Sequence, residues 1–383
     1  MGASQEQPAI EPVIVADHLA RAADQMATRD VDGLLVFRGS NILAFCGVPL
    51  APSDRLVCGL VNRDRRIAFV VPEFEADACR GLPPGSEVIT WREDADPYQA
   101  VAAAARGLGI ASGNISLDGF TWLDAESRLS GAMNGAKLRR DTDIIDSVRV
   151  IKSANEIKAI RTACSDTGRI FPLVNDCLRP SISEEGLRDE VLGRLANGSF
   201  KAVGDLIQGG ENAAVPHKPT GSRLFREGDA VIVDFAAANR GYLGDMTRTF
   251  AVGEPADEIK KAYAVVREAQ KAAIDAIRPG MTCEAVDASA RRVIESAGLG
   301  DYFIHRLGHG IGLDIHEPPF LVQGNATPLE AGMCMTVEPG VYVPGRFGIR
   351  IEDVVVVTPE GSDLLSSDVP TDFSEWFEST RTA

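Results

Sequence analysis

The sequence predicts an α/β (α+β) chain in two parts, with an N-terminal α/β domain over residues 1–140, a linker at 141–152 and a second domain over 153–383. Three observations lead to this. A chain of 383 residues is long enough for two separate cores. Short β-rich runs alternate with helical stretches up to about residue 135, the pattern of a compact α/β domain. Beyond residue 150 the order helix, helix, strand pair occurs twice, which reads as an internal structural duplication although the two halves share little residue identity.

Taken in order, Asp17–Thr28 reads as a helix, and Gly33–Phe37, Arg55–Val61 and Ile67–Val71 as apolar strands joined by polar turns. Glu73–Arg80 and the alanine-rich Pro97–Leu108 read as helices, Asn114–Leu117 as a short strand and Trp122–Met133 as a further helix. This part contains neither GxxxxGK[ST] nor a GxGxxG after a strand, so it carries no phosphate-binding signature. Lys137–Val150 is charged and irregular, as a linker would be. Ser153-Ala-Asn-Glu156 is a capping box that opens a long helix to about Cys177, and Pro180 stops it. Ser183–Glu185 caps a second helix to about Ala196, and the strands Ala230–Ala236 and Tyr242–Phe250 follow, joined by the turn Asn239-Arg-Gly241. Glu258–Ile277 then repeats the long helix, ended by Pro279-Gly280. Thr282 caps the helix Cys283–Ser296, and Cys334–Val337 and Ile349–Val357 supply the second strand pair.

Composition excludes several classes. A net charge of −16 disfavours nonspecific binding to nucleic acid or to an anionic membrane surface. No uncharged apolar run approaches membrane-spanning length, and MGASQEQPAI has no apolar core of a secretory signal. The seven cysteines are widely spaced and form no CxxC pair, which suggests reduced thiols and a cytoplasmic location.

The chemistry concentrates in the second domain. Three of the five histidines lie within His305-Arg-Leu-Gly-His309-Gly-Ile-Gly-Leu-Asp-Ile-His316-Glu317. Glycines 308, 310 and 312 argue against a helix presenting His305 and His309 as a zinc pair, and favour a loop with close backbone approach followed by extended Leu313–His316. Two acids interrupt apolar strands in the first half. If the hairpin turns at 239–241, Asp234 in Val231-Ile-Val-Asp234 and Asp245 in Gly244-Asp245-Met-Thr approach each other across it. Glu338 ends the strand Met335-Thr-Val-Glu338, and Glu352 opens the β-prone run after Gly348-Ile-Arg-Ile. Like charges placed so close repel unless a cation lies between them. Four carboxylates and an imidazole match what a two-metal hydrolytic centre needs, and an oxygen-rich set with one nitrogen suits Mn²⁺, Co²⁺ or Zn²⁺.

With these motifs in view, the sequence resembles the metallopeptidases of the pita-bread fold: prolidase (Xaa-Pro dipeptidase) and aminopeptidase P, more distantly methionine aminopeptidase and creatinase. His305–Glu317 is similar to the signature H-x-x-[GS]-H-x-[LIV]-G-x-x-[IV]-H-[DE] of the prolidase and aminopeptidase P branch. Val233-Asp234-Phe235, Gly244-Asp245, Thr336-Val-Glu338-Pro-Gly and Arg350-Ile-Glu352-Asp353 follow in the family order. The likeness covers residues 151–360 and extends more loosely to the N-terminal domain. It implies pseudo-twofold halves with helices backing a curved sheet, and the metal ligands Asp234, Asp245, His309, Glu338 and Glu352. All five are present, which counts against the metal-free creatinase branch. It also implies that His217 contacts substrate near the scissile bond, that His316 steadies the tetrahedral intermediate, that Arg350 lies beside the metal glutamate and that His305 supports from behind. A homodimer is implied as well.

One departure stands out. Some prolidases place an arginine just after the second signature histidine to hold the dipeptide carboxylate, and here His316-Glu-Pro-Pro leads to Phe320. The expected reaction is hydrolysis of the Xaa-Pro bond of dipeptides or short peptides by a hydroxide bridging two divalent ions, Mn²⁺ first among them. In this scheme Glu338 moves the proton, and His217 and His316 donate to developing negative charge. Aminopeptidase P action on longer peptides, a lyase or organophosphate hydrolase of the same fold, and a noncatalytic binding module are the competing readings.

Overall fold

Seventeen residues, Pro12–Thr28, form helix α1, whose buried Val15, Leu19, Ala22 and Met26 recur at helical spacing. This computed structural model describes residues 10–49, 54–119, 121, 123–140, 143–195, 200–366 and 369, with the side chains of 78 and 80 left aside. Trp122, Ala196 and residues 141–142, which enter the elements expected above, lie outside the described residues. The chain divides into two compact units between Arg149 and Val150.

In the first unit, β1 (Gly33–Val36), α2 (Gly39–Cys46), β2 (Cys58–Asn62), β3 (Ile67–Pro72), β4 (Glu87–Trp91), α3 (Pro97–Gly107), β5 (Asn114–Leu117), α4 (Leu123–Ala132) and β6 (Lys137–Arg139) follow α1. The six strands make one mixed sheet in the order β4-β3-β2-β1-β5-β6. Its core joins Leu35, Leu60, Val70 and Ile115 of the strands to Val101, Ala105 and Leu129 of the helices. Glu73–Arg80, expected as a helix, lies in a 3₁₀ stretch, Glu73–Gly81.

Lys137–Val150, expected as a charged and irregular stretch, has regular structure where it is described. α5 (Asp143–Val150) occupies most of it, because Ile144, Ile145 and Val148 bury one apolar stripe that outweighs the charges between them. Ile151 bridges Met333, and the Lys152 ammonium is buried against Glu317.

The second unit continues with α6 (Ala154–Gly168), α7 (Ile170–Cys177), α8 (Glu184–Leu195), β7 (Ala202–Gly209), β8 (Ala230–Asn239), β9 (Tyr242–Ala251), α9 (Asp257–Ala276), α10 (Cys283–Ser296), β10 (Gly308–Gly310), β11 (Glu317–Leu321), β12 (Cys334–Val337), β13 (Gly340–Val343), β14 (Phe347–Arg350), β15 (Asp353–Val357) and β16 (Ser362–Leu364). The single long helix expected from Ser153 to Cys177 is two helices. Pro172 has no N–H for the Gly168 carbonyl, so the i→i−4 ladder breaks there. Ser153 N donates to Glu156 Oε2 at 2.8 Å, as the capping box predicts. β7, β8 and β9 form one sheet, and β11-β10-β12-β15-β16 form another. The hairpin β8–β9 turns at Arg240 and Gly241, both at positive φ (48° and 83°), the geometry of a two-residue turn that matches strand twist. Ile259, Tyr263, Val266, Val286, Ala290 and Ile294 of α9 and α10 bury against Met335, Val337 and Val355 of the second sheet.

Candidate metal centre

Register decides where the acids stand. Across β8 and β9, Ala236 faces Asp245 and Asp234 faces Thr247, so Asp234 and Asp245 are diagonal neighbours on one face. Thr247 also bridges Glu352. Asp234, Thr247 and Glu352 therefore form a row running from the first half of the unit into the second. β12 pairs with β15 up to Val337 opposite Asp353, so Glu338 and Glu352 leave the ends of paired strands side by side.

His309 enters from β10, where Gly310 faces Met335. The sequence suggested a glycine loop here, followed by extended Leu313–His316. Instead His309 sits on a strand, and residues 312–316 bend: Gly312 N donates to Asp314 O (3.1 Å) and Asp314 N to Glu317 Oε2 (3.3 Å). The glycines do permit close approach, but of neighbouring chain: a Cβ on Gly308 would strike the Thr336 carbonyl, and one on Gly310 the Pro318 carbonyl.

Asp245, His309 and Glu352 each bring one ligand atom to within 4.8 Å of the others. His309 Nε2 lies 3.3 Å from Glu338 Oε1 and 3.9 Å from Asp245 Oδ2. His309 Nδ1 is 3.1 Å from the Gly310 carbonyl, which can only accept, so Nδ1 carries the proton and Nε2 presents a lone pair. A lone pair facing two carboxylates is an arrangement that wants a cation. Asp234 stands at the edge of this group, its Oδ2 accepting from Arg350 Nη2 at 2.6 Å.

Electrostatics agree with the geometry. Burial, then Asp234 and Glu338, hold the Asp245 carboxyl well above its ordinary range. Burial, then Asp245, Glu338 and Asp234, do the same to Glu352. Glu338 is pushed up to about 7, chiefly by desolvation, although 15% of its side-chain surface stays open. Burial and then His316 push His309 down to about 3, so its imidazole is neutral. Arg350 stays charged: burial opposes its charge, but Tyr342, Asp234, Glu338 and Glu352 raise its pKa.

His316 is exposed, with its ring edge-on to His309 at 4.2 Å between centroids. Its pKa is lowered by partial desolvation, then by Arg306 and His217. His217 is exposed in a turn and lies within electrostatic reach of both His305 and His316. His305 supports from behind. Its Nδ1 donates to the Arg306 carbonyl (2.7 Å), so its Nε2 accepts from Tyr342 Oη (2.9 Å), which accepts in turn from Arg350 Nη1 (2.9 Å).

Sequence reasoning missed Tyr342, Thr247, Thr336 and Arg306. Thr247 Oγ1 donates to Glu352 Oε2 at 2.7 Å, and Thr336 Oγ1 to Glu338 Oε1 at 3.4 Å. Each threonine is two residues from an acid on the same strand line, the one signal that pointed to them. Tyr342 gave none. Arg306 lies between His305 and His309, stacked over the Phe320 ring at 4.7 Å. Among the described residues its guanidinium has no hydrogen-bond or ion-pair partner.

Comparison with known proteins places this arrangement. Residues 158–359 match metallopeptidase family M24, and residues 18–151 match the creatinase/prolidase N-terminal domain. A probable dipeptidase PepE of Mycobacterium bovis is 35% identical over 91% of this chain and 93% of its own length. A Xaa-Pro dipeptidase of Lactobacillus helveticus is 34% identical over 84% and 89%. The crystal structure of dipeptidase PepE from Mycobacterium ulcerans superposes with a TM-score of 0.84 at 34% identity, covering 93% of this chain and 96% of that one. With the family match spanning more than half its residues and its acids and histidines gathered on this sheet, the chain belongs to the pita-bread-fold metallopeptidases of family M24.

Proposed function

We propose that this metallopeptidase hydrolyses the Xaa-Pro bond of dipeptides. Asp234, Asp245, His309, Glu338 and Glu352 hold two divalent ions per subunit, Mn²⁺ first and Co²⁺ or Zn²⁺ as alternatives. The observation that carries the reading is the neutral His309, whose Nε2 lone pair faces Glu338 and Asp245. When bound, such ions supply a water that ionises near neutral pH and a Lewis acid for the scissile carbonyl. Glu338 takes the proton of the attacking water at its carboxylate and passes it to the leaving nitrogen. His316 and His217 donate to the carbonyl oxygen as charge develops there. Arg350 keeps the Asp234 carboxylate oriented through Nη2.

Two supports favour a dipeptide over a longer peptide. The Lactobacillus helveticus relative carries the name Xaa-Pro dipeptidase. Arg306, without an acid partner, offers a guanidinium to a substrate carboxylate, in place of the arginine absent at Phe320. We further propose a cytoplasmic homodimer whose catalytic domain is residues 153–383. Among the described residues no helix is long and apolar enough to cross a membrane.

Metal-reconstituted protein should release free proline from Xaa-Pro dipeptides and act more slowly on Xaa-Pro-Xaa tripeptides. Preferential cleavage of tripeptides would make it an aminopeptidase P, and inertness to both would remove the peptidase substrate assignment. Light scattering should give twice the chain mass, and a monomer would refute the dimer alone.

A further inference from the structure

His217 lies between Pro216 and Pro219, is exposed, and its imidazole has no hydrogen-bond partner among the described residues. Its own side chain therefore does not fix it. The backbone around it is fixed from below. The carbonyls of Val215, Pro216 and Lys218 converge on one atom, Nε2 of Gln208, at 3.0, 3.3 and 2.7 Å. Gln208 is fully buried, and its Oε1 has no partner among the described residues. Turning the amide over would set its oxygen against three carbonyl oxygens, so the donor end alone determines the side chain's orientation. Two N–H bonds are shared among three acceptors, which winds the chain tightly about this point.

Register links this pin to the metal centre. On β8 the partners of β7 residues Leu206 and Gln208 are Asp234 and Ile232, so Gln208 and Asp234 lie on the same face of the sheet, one alternation apart. Ile232 on that face packs against Ala213 of the loop. The ends of the loop are held separately. Buried Glu184 accepts from Gly209 N (2.9 Å), Asn212 Nδ2 (2.9 Å) and Gly221 N (3.0 Å). A carboxylate thus clips the ends of residues 209–221, and one amide on the metal-bearing sheet holds the middle.

We propose that Gln208 is a positioning residue that sets His217 at a fixed place relative to the metal centre. The proposal rests on His217 contacting substrate, as argued above. It explains why a histidine with no anchoring contact of its own can serve on an exposed loop: the sheet face that carries the acid also carries the peg for the loop.

The test uses the metal-loaded full chain, with glycyl-proline as substrate, and compares Gln208→Met, His217→Ala and the double variant. Gln208→Met should raise KM about tenfold and change kcat by less than about threefold, the scale of a lost neutral hydrogen bond acting on ground-state binding. Metal content should stay at the wild-type value, and the double variant should be no worse than His217→Ala. Hydrogen exchange should quicken at residues 212–218 and stay unchanged in β8 and β9. Additive losses in the double variant, loss of metal, or unchanged exchange at 212–218 would overturn the proposal. If the wild-type chain cleaves no Xaa-Pro peptide, the substrate reading fails, and the exchange measurement still decides whether Gln208 holds the loop. Should Gln208→Met fail to fold, Gln208→Asn, which withdraws the same donor by one methylene, is held to the same outcomes.

Discussion

In the first half of the second unit, ten consecutive pairs join β8 to β9 without a break, whereas in the second half β10, β12 and β14 are only three or four residues long. The first half brings Asp234 and Asp245 together through register, and Arg350 of the second half holds the Asp234 carboxylate. In the second half, Glu338 and Glu352 lie just beyond strand ends, and side chains fix them. Thr336 donates to Glu338, and Thr247, from the first half, donates to Glu352. Behind Glu352 the buried Arg248 donates to its carbonyl (2.7 Å) and to Asp353 Oδ1 (2.7 Å). Duplication of an architecture thus does not duplicate the means of holding its acids: long paired strands place them by register, short ones by side-chain hydrogen bonds, and each half lends the other one such bond.

The most severe way to break this comparison is to remove a proposed ligand from each half. Asp245→Ala and His309→Ala should each lower metal content and activity together, whereas His316→Ala should keep the metal and lose kcat by roughly a hundred- to a thousandfold, the size of a missing transition-state hydrogen bond. Metal analysis beside kinetics separates these cases. If His316→Ala emptied the site while His309→Ala left it filled, the two histidine roles would be reversed.

A milder change tests the borrowed bond itself. Thr247→Val removes the donor to Glu352 while keeping size and β-propensity, and should weaken metal binding about ten- to a hundredfold, as loss of a supporting contact does. Titration of metal-free protein followed by calorimetry gives the number. An unchanged affinity would mean that Glu352 holds itself.

Acid pKa values offer a third handle. Because Glu338 rises from an ordinary carboxyl value to about 7 on folding, the metal-free native state keeps a proton that the unfolded chain has released. Its contribution to stability is therefore fully present below about pH 4.5 and is lost as pH rises through about 7. Asp245 and Glu352, also raised, act in the same direction. Metal-free wild type should thus lose Tm relative to Glu338→Gln between pH 5 and 7, and added Mn²⁺ should restore more at pH 7 than at pH 5. A flat difference between the two proteins over that range would contradict this account.

The smallest expected effect lies in the half whose acids are placed by register. Gly241→Ala forces a side chain into positive φ at the β8–β9 turn and should cost about 1–2 kcal/mol in thermal stability. Metal affinity should not move, since ten pairs still set the register. A fall in affinity would show that this half also depends on a local support.

Much of this centre was legible in the sequence because it rests on local rules. Alternation put Asp234 and Asp245 on facing strands, Asn239-Arg-Gly241 marked the turn, and the His305–Glu317 run announced its family. The capping box at Ser153 and the cap at Thr282 likewise depend only on residues within one turn. Where the reading failed, a local rule met a distant partner. The charged stretch before Val150 hid a helix because burial of Ile144, Ile145 and Val148 is a tertiary event. The glycines around His309 looked like loop residues, and became strand because β11 and β12 press their backbones against them. Long-range side-chain bonds left no trace in spacing: Thr247 to Glu352 spans 105 residues, and Arg350 to Asp234 spans 116. The sequence by itself determined which groups carry charge and nitrogen, and put Asp234 and Asp245 on paired strands. Only the tertiary structure decided which of them lose their water together, because desolvation depends on what packs around a group and not on its neighbours in the chain.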